Sequence, residues 1–99
     1  MSQNAIQEEM FISPRFNSFL RFHKNNPKVY QYFEARAFEM IQAGHKNFSA
    51  RTILEVARWD INLQTNGKPF KIDNNHVPFY AKMFMKANPQ HEGFFRTRD

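Results

Sequence analysis

Apolar residues recur at three- and four-residue spacing in four stretches of the chain, the signature of amphipathic helices. The first carries Phe16, Phe19, Leu20 and His23 behind Ser13-Pro14, an N-cap followed by proline at the first helical position, and it stops at Asn25-Asn26-Pro27. Asn26-Pro27 opens the second in the same way. There Val29, Phe33, Ala37, Met40 and Ile41 share an inward stripe, and Gly44 supplies the C-terminal stop. Ser49 caps the third, which runs to about Leu63, with Ala50, Ile53, Leu54, Ala57 and Ile61 as its main core face. Val56 and Leu63 lie near a second core face and Trp59 at its margin, so this helix reads as central. The fourth spans about Asn75 to Asn88. Asn75 is its expected N-cap, Pro78 is tolerated in its first turn, and Asn88-Pro89 forbids continuation. Val77, Tyr80, Ala81, Phe84 and Met85 form its inward stripe.

Two short segments alternate as strands do: Phe70-Lys71-Ile72 and the terminal Phe94-Phe95-Arg96-Thr97-Arg98. Residues 1–12 are polar apart from Ile6, Met10, Phe11 and Ile12 and read as a flexible N-terminal arm. The order helix, helix, helix, strand, helix, strand predicts one domain over residues 13–99. It is mainly α with a small β element, a winged-helix-like helix-turn-helix. The long connection from Gln64 to Asn74 departs from a tight helix-turn-helix turn and leaves open which helix would enter a groove.

With 99 residues the core is small, but twelve Phe supply a heavy apolar load, each worth about 1.5–3 kcal/mol when fully buried. No cysteine is present, which removes disulfides and thiolate metal sites. The four histidines stand far apart, and neither a nucleophile motif nor a glycine-rich phosphate cradle occurs. The pattern therefore predicts a non-enzymatic protein with no catalytic residue, metal or cofactor. No apolar run resembles a signal peptide or reaches transmembrane length, so a cytoplasmic protein without membrane contact is expected.

Charge supplies the remaining clue. The net charge is +5, and six cations against three carboxylates between residues 66 and 99 account for three of those five. The fourth helix has a second stripe of His76, Phe79, Lys82, Met83 and Lys86, which holds two lysines and no acid. The ordinary meaning of such a stripe is a solvated face. As a working surface it admits two readings. The first is duplex DNA binding, with phosphate contacts from Lys68, Lys71, Lys82, Lys86, Arg96 and Arg98, and with Asn75 and His76 placed to touch bases. The second is a protein-interaction module that modulates a host protein through an aromatic patch around Phe79 and Met83. A homodimer suits either reading, but no dimer surface is marked.

The motifs N-P-x-V-Y at Asn26–Tyr30, S-A-R-x-I-x-E-x-x-R-W at Ser49–Trp59, F-K-I-x-N-N at Phe70–Asn75, Y-A-K at Tyr80–Lys82 and G-F-F-x-T-R at Gly93–Arg98 are similar to those of a family of small uncharacterised proteins of phages and bacterial genomes. The resemblance covers the chain from about residue 14. It implies a phage or prophage setting inside a bacterial host cell. It carries no activity and no catalytic residue, and the DNA-binding regulator it suits is an expectation of the charge pattern.

Overall fold

The structure, a computed structural model, describes residues 13–64 and 71–96. Helix α1 spans Pro14–Asn25, α2 Pro27–Gln42, α3 Ala50–Gln64 and α4 Val77–Ala87, with single 3-10 turns at Asn74–His76 and Pro89–His91. The two serines cap as the sequence predicts, whereas Asn26 stands at the N-cap position of α2 without a side-chain cap bond and donates its amide to the Phe22 carbonyl at 3.0 Å instead. The Ser13 hydroxyl accepts from the Phe16 N–H at 3.1 Å, and Ser49 accepts from the Thr52 N–H at 3.2 Å. Each bond satisfies a donor that the first helical turn leaves unpaired. Gly44 takes φ +98°, a conformation open to glycine, as it ends α2.

At the start of α4 the cap is Asp73 rather than Asn75. Its carboxylate accepts from the Asn75 N–H at 2.8 Å and opens the 3-10 turn, which then runs directly into α4. Asn75 is therefore an exposed residue inside that turn.

The expected β element does not form: no strand occurs among the described residues, so the winged-helix-like α+β assignment is replaced by an all-helical fold. Lys71, Ile72 and Arg96 are irregular backbone, and Phe94 and Phe95 form a bend. Consecutive strand residues point to opposite faces. Phe94 and Phe95 are both buried instead, and their rings both pack on Phe84. The Phe48 N–H donates to the Phe94 carbonyl at 3.1 Å, which pins this segment to the α2–α3 connector without a ladder. The rest of both predicted strands, at Phe70, Thr97 and Arg98, lies outside the described residues.

The core is an aromatic stack. Phe33 of α2 sits against Phe84 and Tyr80 of α4 and against Phe95, with ring centroids 6.3, 5.9 and 5.2 Å apart. Phe19 of α1 meets Tyr80 edge-on at 4.8 Å. Val29, Ala37, Ile53, Leu54, Ala57 and Ala81 fill the spaces between the helices. Across α2 and α3, the Arg36 guanidinium donates twice to Asp60, at 2.9 and 2.7 Å, and once to Glu39 at 3.0 Å. The paired bonds hold the Asp60 carboxyl below its ordinary pKa.

One helix face departs from expectation. Trp59 is not packed at a margin and Val56 and Leu63 do not reach a second core face. All three stand exposed on α3, by 66%, 40% and 70% respectively.

Candidate partner-binding cleft

The lysine-bearing stripe of α4 does face outward, but it does not form a plain solvated surface. Helix α1 crosses beside it and brings Phe16 to 5.4 Å and Phe19 to 5.3 Å from the Phe79 ring. Phe79 and Met83 become half-buried, and a cleft of about 340 Å³ opens between the two helices. Its floor is Phe16, Phe19, Leu20, Phe79 and Met83. Lys82 and Lys86 stand exposed at its lip. A second, shallower cleft of about 560 Å³ adjoins it at Leu20 and is lined by Asn17, Arg21, His23 and Lys24. Among the described residues no carboxylate lines either one. The combined face thus offers apolar area flanked by Arg21, Lys24, Lys82 and Lys86.

The sequence-predicted residues divide as follows. Lys82, Lys86, Phe79 and Met83 are brought together at one cleft. Lys71 and Asn75 are exposed ahead of α4. Arg96 lies on the other flank of α4, where it shares a cleft with Arg51, Ala50 and Asn74. Lys68 and Arg98 lie outside the described residues. The sequence reading missed Leu20, Arg21, Lys24 and Arg51. Leu20 reads as core on the α1 stripe, while Arg21 and Lys24 off that stripe and Arg51 at the first turn of α3 give no local sign of a shared surface.

His76 does not belong to the exposed set. Only 4% of it is accessible, and its Nε2 lies 3.2 Å from the Ser18 hydroxyl of α1. Phe22 and Phe19 enclose the ring at 5.3 and 5.9 Å. It cannot touch a base from this position. His23 is held in a comparable way, stacked on Phe19 at 5.8 Å with Tyr80 edge-on at 6.3 Å. Among the described residues, the Nδ1 atoms of both histidines and the Tyr80 hydroxyl are buried without a hydrogen-bond partner. Burial disfavours the charged imidazole and lowers both histidine pKa values, while the nearby Asp73 carboxylate partly opposes the shift at His76.

The linkage has a definite sign. A histidine whose folded pKa is depressed binds fewer protons folded than unfolded below the ordinary value. Its contribution to stability is intact above about pH 6.5 and is lost as pH falls below that. The melting temperature is therefore expected to drop between about pH 7 and pH 5. His76→Gln should flatten that limb in circular-dichroism melts across the range. An unchanged slope in His76→Gln and His23→Gln together would remove the imidazoles as its cause.

Among the described residues no three His, Cys, Asp or Glu side chains gather as metal ligands do, and no helix is long and apolar enough to cross a membrane. No family model, curated protein or solved structure matches the chain. The reading of the cleft therefore rests on its own residues.

Proposed function

We propose that this chain is a non-enzymatic docking module that takes an acidic, amphipathic segment of a partner protein into the α1/α4 cleft. One observation carries the reading: an apolar floor and a cationic lip belong to the same cleft, and no carboxylate lines it among the described residues. A helix with leucine or aromatic anchors on one face and acids beside them matches both features at once. Burial of the anchors supplies affinity, and the lysines supply orientation and encounter rate. In the phage setting implied by the sequence motifs, the partner is a host protein.

Duplex DNA is the second reading, favoured by the net charge of +5 and by the exposed Lys71, Lys82, Lys86 and Arg96. Phosphates would attract those cations but leave the apolar floor uncovered. With His76 buried, Asn75 is the one exposed member of the expected base-contacting pair.

A fluorescence-polarisation titration separates the two. The probes are a labelled acidic amphipathic peptide, a basic peptide with the same apolar pattern, and a labelled duplex. Docking predicts binding of the acidic peptide alone, and a weakening of about tenfold or more in Phe79→Ala. Much of that affinity survives high salt, because apolar burial is not screened. Tight duplex binding whose log affinity falls by about 0.9 per phosphate neutralised, with no peptide bound, would overturn the docking reading.

A further inference from the structure

Val56, Trp59 and Leu63 fall on one side of α3 at the spacing of a helix face that buries against another helix. The opposite side of α3, with Ile53, Leu54 and Ala57, is already consumed by the core. Among the described residues, these three are the large apolar side chains left exposed. Their surroundings differ sharply from the α1/α4 face. Arg58 pairs with Glu55 at 2.7 Å, and Arg36 pairs with both Asp60 and Glu39. Two cations against three carboxylates leave this flank close to neutral, with one carboxylate in excess.

That balance bears on what covers it. An acidic partner gains more at the lysine-lipped cleft than here. A second copy of this chain also carries a net charge of +5, so the two repel across every face rich in cations. On the α3 face, by contrast, two copies would meet where the neighbouring charges are already paired within each copy. We propose that α3 is the contact between two copies of this chain, paired antiparallel about a twofold axis. Val56 of one copy then lies opposite Leu63 of the other, with the two Trp59 rings beside the axis. Such pairing is self-complementary and closes at two. Three apolar side chains per copy give a contact at the small end of specific interfaces, so affinity on the order of micromolar is expected. The pairing does not depend on what the α1/α4 cleft binds.

Trp59 is the one tryptophan in the chain and reports the event directly. The full chain is followed by sedimentation equilibrium and by tryptophan emission from low to several hundred micromolar. The expected result is a mass that rises from one chain to a plateau at two. The emission maximum moves to shorter wavelength over the same range as the ring leaves water. Leu63→Glu and, for mass alone, Trp59→Glu are expected to stay at one chain with the melting temperature of the dilute parent, because both side chains are exposed in the fold. Lys86→Glu, in the cleft, retains the two-chain plateau. A mass of one chain at the highest concentration overturns the proposal. So does a mass that grows past two without a plateau, or a Leu63→Glu variant that still pairs.

Discussion

Phe33→Ala is expected to remove about 3–5 kcal/mol of folding stability. The estimate follows from what the ring touches. Phe33 is fully buried and links α2 to α4 through Tyr80 and Phe84, and to the C-terminal bend through Phe95. Truncation loses the transfer free energy of the ring. It also leaves a hole that three other rings cannot collapse into without abandoning their own packing. A domain of this size has about 5–15 kcal/mol in total, so a large share of it would go. Phe33→Leu should lose less, since much of the volume is retained. Urea unfolding followed by circular dichroism measures both. A midpoint for Phe33→Ala within error of the parent would mean that the aromatic stack is not what holds α2, α4 and the C-terminal bend together.

The same stack explains which parts of the fold were legible in the sequence. Ser13-Pro14, Asn26-Pro27 and Asn88-Pro89 act within a few residues of themselves, through a capping hydroxyl, a fixed φ and a missing N–H, so they place helix ends without tertiary knowledge. The inward stripe of α4 held for the same reason, and Tyr80, Ala81 and Phe84 are buried as their spacing requires. At the terminal Phe94-Phe95 the alternation is too short to define a strand, and burial of both rings is decided by Phe84 and Phe33 from elsewhere in the chain.

His76 and Phe79 show the limit of helical spacing at the site itself. Both sit on the lysine stripe of α4 by sequence, yet α1 crosses over them and supplies Ser18 and Phe16, residues some sixty positions earlier. Periodicity assigns a residue to a face but does not say which other helix covers that face. The α3 stripe fails in the opposite direction. Val56, Trp59 and Leu63 look like core by spacing, and the pattern of a core face is the same as that of a face reserved for another chain.

Reversing both lip charges, Lys82→Glu with Lys86→Glu, is expected to weaken binding of the acidic amphipathic peptide by roughly a hundredfold, about 2–3 kcal/mol. Two contributions add. The attraction of each ammonium for a peptide carboxylate is lost, and a like-charge contact replaces it beside the apolar floor. Neutral Lys82→Gln with Lys86→Gln loses only the first contribution and should fall between the parent and the reversed form. Both lysines are exposed, so the fold tolerates either pair of changes, and thermal melts provide the control. The reversed variant should also gain affinity for the basic peptide of the same apolar pattern. This exchange of preference is the outcome that distinguishes a lip reading the sign of its partner from lysines that merely keep the chain dispersed. Equal affinity for the acidic peptide in parent, neutral and reversed forms would show that the lysines take no part in docking, and the choice of an acidic partner would fall with them.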